Sequence, residues 1–295
     1  MKSMDVEDVY AKNKDIKKEH VKTLQEWAKK QPHLPTITEL QFVTFLHSCY
    51  FSIEMTKTTI EKFYTYRTHC PEFFTNLNFD AVSKMLDLTF FSPLPKLTLE
   101  GYHIVFSKLL TPDSSNYVYS QHAKLFLMTL TAFLERQGPS KGLVIVQDFK
   151  EFTFGHLVKI PILEVKKLLL FLQEALPVRL KGIYLFNVGG VIDGLMAMVK
   201  PFLKKELAES FFFFDDNYDK MFDKIPRECL PEDYGGKMES IKVLRENAIK
   251  LFKEEFEFFS ENEKLIADES KRLGKATNVN DLFGVEGSFK KLSID

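Results

Sequence analysis

Two runs almost without polar side chains constrain this chain most: Gly142-Leu143-Val144-Ile145-Val146 and Gly182-Ile183-Tyr184-Leu185-Phe186-Asn187. An apolar run too short for a helix and unbroken by alternation marks a strand buried on both faces. Between and around them lie helical stretches. Tyr117 to Gln137 is amphipathic and closed by Gly138-Pro139; Pro161 to Ala175 carries Leu168, Phe171, Leu172 and Leu176 on one stripe. His103 to Leu109 is rich in β-formers behind the turn Glu100-Gly101, and Phe211 to Phe214 is a further apolar strand candidate. Strand alternating with helix predicts an α/β fold with a mostly parallel sheet and crossover helices.

The first third reads differently. Asp5 to Lys30 is charged with sparse apolar residues at helical spacing, and Pro32 and Pro35 end it. Helices are expected over Glu39–Cys49, Ser52–His69 and Asp80–Leu88, with no convincing strand before Pro95. The far end holds one long charged amphipathic helix, Ser240 to Asp268, and a tail through Phe283 and Phe289. The expected division is therefore a helical module over 1–95, an α/β domain over 96–240, and a C-terminal helix and tail over 241–295 that pack back on it.

Lysine plus arginine, 40, nearly cancels aspartate plus glutamate, 41, among 295 residues, so no global basic field is present to hold nucleic acid. The 29 phenylalanines against one tryptophan offer much apolar area with no polar atom to satisfy, as a large core or a ligand cavity requires. Cys49, Cys70 and Cys229 are scattered and odd in number, which argues against a disulfide framework and fits a reducing compartment. The N-terminal segment lacks the apolar run of a signal peptide, and no stretch approaches 18 uncharged apolar residues. The expected location is the cytoplasm, and the expected assembly is a monomer.

Catalytic motifs fail on inspection. Asn187-Val188-Gly189-Gly190-Val191-Ile192-Asp193-Gly194 is a glycine-rich turn between strand and helix, but it is not GxGxxG and lacks a P-loop lysine. His47 with Cys49, and His69 with Cys70, have no further ligands at metal-binding spacing, so no metal is expected. Asp148 ends a buried strand where many α/β enzymes keep a carboxylate, yet no nucleophile or base can be named beside it. A non-catalytic protein without a cofactor is expected.

Three segments carry a resemblance. They are Gly142 to Asp148 followed by Phe154-Gly155-His156; Pro177-Val178-Arg179-Leu180-Lys181-Gly182-Ile183 leading to Asn187 and Lys200-Pro201-Phe202-Leu203; and Leu230-Pro231-Glu232-Asp233-Tyr234-Gly235-Gly236. In this order and spacing the chain resembles the CRAL-TRIO lipid-binding family, in the branch of tocopherol-transfer and retinaldehyde-binding proteins. The resemblance runs from about Glu39 to Gly236. It implies an α/β sandwich whose sheet floors a lipid cavity closed by a mobile gate helix, here from Val191 to about Leu207.

The expected ligand is one hydrophobic small molecule (a tocopherol, retinoid, carotenoid or other isoprenoid), exchanged with membranes by transient contact. A lipid-sensing adaptor without net transfer is the alternative. Period two puts Leu143, Ile145 and Gln147 on one strand face toward the cavity. The preceding helix adds Ala123, Phe126, Leu127 and Leu130. By resemblance, Phe154, Ile160, Leu168, Phe171, Leu172, Leu176, Val178, Leu180 and Ile183 also line it. An amide at Gln147, where relatives tend to carry an apolar aromatic, is expected to meet a polar ligand atom.

The gate segment carries two apolar stripes. Ile192, Met196 and Val199 are expected to face the cavity; Val191, Leu195 and Met198, with Phe202, are expected to face the membrane. Arg179, Lys181, Lys200, Lys204 and Lys205 would attract anionic head groups. The family's head-group arginines after Phe45-Leu46 are replaced by His47 and Cys49, and Glu206 and Ser210 stand at basic positions of the relatives, so a general attraction to anionic membranes is what the resemblance leaves. Where the family has Asn-x-Pro this chain has Asn187-Val188-Gly189, and losing the proline while gaining Gly189 and Gly190 loosens the hinge. A carrier of this kind calls for a cavity of ~300 Å³ or more.

Overall fold

The computed structural model describes residues 1–284; Phe289 lies outside them. Five strands form one sheet in chain order: β1 (Thr89–Pro93), β2 (His103–Leu109), β3 (Leu143–Asp148), β4 (Leu180–Phe186) and β5 (Phe211–Phe214). The β1–β2 pair is antiparallel, and β2–β3, β3–β4 and β4–β5 are parallel. Thr89–Pro93, read from sequence as the close of the helical module, is therefore an edge strand of the sheet. The proline pair that masked it sits at and beyond its end, where a strand tolerates the missing donor.

Alternation along each strand divides the core. Val105, Leu143, Ile145, Ile183 and Leu185 face a layer made by helices Tyr119–Gln137, Ile162–Glu174 and Val191–Val199. Ile104, Phe106, Val144, Val146, Tyr184 and Phe186 face the other way, against Met221, Ile225, Leu230 and the helix Ile241–Glu254. That two-sided burial explains why β3 and β4 read as unbroken apolar runs. β5 is instead an edge, with Phe212 39% and Phe213 42% exposed.

The N-terminal helices Val6–Lys12, Lys18–Ala28, Glu39–Ser48 and Ile53–His69 bury their own core around Val43, Phe45, Leu46 and Ile60. Thr38 starts the third with a capping box to Gln41, and Ser52 caps the fourth. Arg67 fastens the C-terminal segment to this module, its guanidinium donating to the carbonyls of Leu265 and Asn262 at 2.8 and 2.6 Å. The single long C-terminal helix expected from sequence is broken at Glu255 into Ile241–Glu254 and Phe256–Asn262. No helix among the described residues is long and apolar enough to cross a membrane.

Candidate lipid cavity and gate

A cavity of about 190 Å³ lies between the sheet and the overlying helices. Its floor is Ile145 and Gln147 of β3 with Ile183 and Leu185 of β4; the helix Tyr119–Gln137 supplies Ala123 and Phe126, and Ile160, Leu168 and Leu172 close one flank. Its roof is Leu195, Met196 and Val199 of the helix Val191–Val199. No Lys, Arg, Asp or Glu is among the lining residues. The volume falls short of the ~300 Å³ expected for a drug-sized ligand. Three roof side chains project into this space, so its size depends on where their helix sits.

Several expected wall residues lie elsewhere. Phe154 is 69% exposed, because the short helix Phe154–Leu157 is capped by Thr153 and His156 and turns Leu157 inward instead. Leu127, Leu130, Phe171 and Leu176 line a smaller cavity of about 60 Å³ against Phe45, Phe63 and Tyr64 of the helical module. Phe171 is held there by Phe74 and Phe63, at centroid distances of 4.9 and 5.6 Å. Leu143 is fully buried in the core, and Val178, Leu180 and Ile192 are half-buried against that core without reaching the cavity.

The gate stripes also differ from expectation. Leu195, assigned outward, joins Met196 and Val199 in the roof, while Val191, Met198 and Phe202 are half-buried on the same core. The nine-residue helix packs on Leu157 and the helix behind it, so a wide arc of its surface is covered. At Gly194 a Cβ would stand 2.7 Å from Leu157 Cδ2, so a side chain there would have to displace the end of Leu157. The exposed apolar side chains are the neighbours: Phe154, Val158 at 64%, Ile162 at 59% and Leu163 at 40%.

The two ends of this helix are held unequally. At its start Asn187 and Gly189 take positive φ, +54° and +49°, and Gly190 offers no side-chain cap. A Cβ added at Gly189 or Gly190 would meet nothing within 4 Å. Beyond its end, Gln173 donates to the carbonyl of Phe202 at 3.1 Å and accepts from the Lys204 amide at 2.6 Å, and Lys204 Nζ reaches Glu174 at 2.5 Å. Burial alone would raise the Glu174 carboxyl, but hydrogen bonds from Lys204, Lys62 and Tyr66 hold it down at about 2.

Of the five cations assigned to head groups, Lys204 is thus engaged with Glu174. Arg179 is engaged too: its Nε donates to the His47 carbonyl at 2.9 Å, and its guanidinium lies 4.2 Å from the Tyr50 ring centre. Lys181 reaches the Tyr50 hydroxyl at 3.1 Å. Lys205 stands 3.8 Å from Glu209, well exposed, and Lys200 is exposed.

Asp148, the strand-end carboxylate, is tied into the fold. Its Oδ1 accepts from Asn187 Nδ2 at 2.8 Å and from the Lys150 amide at 2.9 Å, and its Oδ2 accepts from Tyr234 at 2.6 Å with Lys108 at 3.5 Å. Burial and the neighbouring Asp148 push the Tyr234 phenol well above its ordinary value. Sequence reasoning missed several lining residues, including Phe91, Ser107, Tyr117, His122 and Phe211. For Ser107 a signal was available: period two along His103–Leu109 places it with Val105.

Comparison with known proteins follows the same outline. A model described as the CRAL/TRIO domain matches residues 89–236, and one described as a Pinta-like UBA domain matches residues 13–83. The mouse protein named alpha-tocopherol transfer protein-like is 27% identical over 241 residues, 80% of this chain and 69% of its own. Human clavesin-2 is 28% identical over 125 residues, 42% of this chain and 38% of its own. The crystal structure of Sfh5 aligns at a TM-score of 0.47 and 13% identity, over 68% of this chain and 73% of that one. With the domain match spanning half its length, the chain belongs to the CRAL/TRIO family.

Proposed function

We propose that this protein is a non-catalytic carrier that takes one lipophilic molecule into the cavity beneath the helix Val191–Val199 and exchanges it at a membrane. The observation that carries this is the cavity itself: apolar walls with no charged lining residue, roofed by a helix whose N-terminal end is uncapped behind two glycines. Membership of a family that binds and transfers lipophilic ligands supports it.

The unequal ends give the helix a direction of opening. Its C-terminal flank is fastened to Gln173 and Glu174, so the Gly189–Gly190 end swings and withdraws Leu195, Met196 and Val199 from the cavity. That movement supplies the volume a long ligand needs. Burying a ~20-carbon chain is worth ~16 kcal/mol gross at about 0.8 kcal/mol per methylene, before the costs of binding. Release into water is correspondingly slow, and a bilayer is the destination that offers the ligand equal surroundings. Phe154, Val158, Ile162 and Leu163, beside the roof helix, form the surface that meets the bilayer.

The test has two steps: organic extraction of the purified protein followed by mass spectrometry, then transfer of the extracted compound between vesicles. A stoichiometric lipid that the protein moves from donor to acceptor vesicles is the expected result. Protein that neither carries nor takes up any lipid refutes the proposal.

A further inference from the structure

Phe91 stands between two cavities. It lines the roofed cavity and also a second one, of about 420 Å³, at the outer edge of β1 between the helices Tyr119–Gln137 and Ile241–Glu254. One face of the helix Tyr119–Gln137 runs through both. Ala123 and Phe126 line the first; Thr129, Phe133 and Arg136, at steps of three and four residues onward, line the second. At 1.5 Å per residue that face is ~20 Å long from Ala123 to Arg136. Phe91 meets it at the join, its ring centre 5.6 Å from that of Phe126 and 4.9 Å from that of His122.

The second cavity is graded in polarity. Ala132, Phe133, Ala248 and Phe252 are buried, whereas Arg136, Glu239 and Asn247 are exposed and mark its mouth. Its buried part is thus apolar and shares a wall with a lipid cavity less than half its size. Apolar surface of this kind favours an apolar occupant. The shared wall includes a phenyl ring held by packing, with no polar atom to anchor it.

We propose that the chain of a long lipid displaces the Phe91 ring and runs on into this second chamber, which makes Phe91 the residue that selects ligand length. The inference rests on the carrier reading above and narrows its ligand to lipids with one slender apolar chain. Swinging the roof helix widens the cavity above the sheet; displacing Phe91 lengthens it along the helix Tyr119–Gln137. A slender chain passes where the ring stood, and a fused-ring end stops there.

Two radiolabelled probes separate the cases: 1-dodecanol and 1-eicosanol, each with a diazirine beside the terminal methyl. Each is offered to the full chain from phosphatidylcholine vesicles, and the amount retained after gel filtration is measured. Against vesicles, retention stays level with chain length while each methylene finds apolar surroundings, and falls ~4-fold for each one left in water. The wild type is expected to retain the two alcohols alike. Phe91→Trp, which wedges the partition, should lower eicosanol by ~10-fold or more, a few methylenes' worth, and leave dodecanol little changed. Phe91→Ala should keep eicosanol at the wild-type level.

Irradiation of the wild type then locates the chain ends without any substitution. Eicosanol should label residues 129–137 or 244–252, and dodecanol the roofed cavity around Leu168 and Leu172. Eicosanol label confined to the roofed cavity overturns the second chamber. Eicosanol retained far below dodecanol by the wild type does the same, and a Phe91→Trp protein that loses both alcohols equally overturns the selection of length. Each of these results leaves the carrier reading standing. Retention of neither alcohol overturns both readings.

Discussion

Tyr234 donates its phenol hydrogen to Asp148 Oδ2 across 2.6 Å, joining the Leu230–Gly236 loop to the C-terminal end of β3. The same carboxylate receives Asn187, the residue that turns out of β4 toward the roof helix. The Tyr234 and Asn187 bonds thus meet on one buried side chain, 3% exposed. A motif on the far side of the sheet thereby fixes the point from which the roof helix departs.

Tyr234→Phe keeps the ring, which packs on Phe106 and Phe186, and removes the hydroxyl that donates to Asp148 and accepts from Lys108 at 3.4 Å. Hydrogen bonds to charged groups contribute roughly 1.5–3 kcal/mol, and the variant should lose stability in that range. Urea denaturation checks it: the midpoint should fall with an unchanged slope. An unmoved midpoint would mean that Lys108 and Asn187 alone satisfy Asp148.

Glu174 gives a pH signature. Its carboxyl sits at about 2 in the fold against an ordinary 4.5. The unfolded chain therefore takes up the proton first as pH falls. The stabilisation is whole above about pH 4.5 and disappears as pH drops through about 2. Compared with Glu174→Gln, the wild type should be more stable near neutral pH, and the gap should close across that window. Melting temperatures of both proteins from about pH 6 to 2 measure it; a constant gap would show that the contacts with Lys62 and Lys204 do not depend on the charge.

The revised gate geometry reverses an expectation drawn from sequence. Leu195→Asp places a charge in the cavity roof, so it should lower both the melting temperature and lipid retention. Val158→Asp places one on the exposed patch, where water tolerates it. In a bilayer that charge costs up to roughly 2.5–3.5 kcal/mol at full depth, so transfer between vesicles should slow by ~10-fold or more with the melting temperature preserved. Transfer rates unaffected by Val158→Asp and by Phe154→Asp would remove this patch from the membrane contact.

At the hinge, Gly190 has φ −72° and ψ −7°, a conformation open to any residue, with no atom near an added Cβ. Gly190→Ala should stabilise the fold by about 0.4–1 kcal/mol by restricting the unfolded chain. If the helix swings from this end, the same change should also slow lipid exchange. A gain in melting temperature with exchange unaltered would place the moving joint elsewhere.

Four of the five strands and a mostly parallel sheet were legible, β3 and β4 because burial on both faces writes unbroken apolar runs. β1 was not, since Thr89-Phe90-Phe91-Ser92 is short and abuts prolines that read as loop. Strand period placed Leu143, Ile145 and Gln147 on the cavity side, and the lining includes the last two together with Ala123 and Phe126 of the preceding helix. Leu127 and Leu130 were not separable from them: one turn of the same helix decides which of two cavities a side chain meets, and only the position of the helical module sets that. Leu195 failed for a related reason. Helical spacing divides stripes, but it does not say how wide an arc the neighbours cover. Phe154 was misplaced because a capping box, rather than the apolar pattern, orients its turn.

β5 closes the sheet with four consecutive phenylalanines on an edge that no other described strand pairs. Such an edge is a template for a second chain, above all before the rest of the fold has closed around it. Here the segment is only four residues long and runs directly into Asp215 and Asp216. The acid pair is placed to act as a gatekeeper against strand-to-strand stacking. Protection of this edge during synthesis thus falls to two carboxylates outside the cavity lining, and their neutralisation should show first as lost yield rather than as a change in the folded protein.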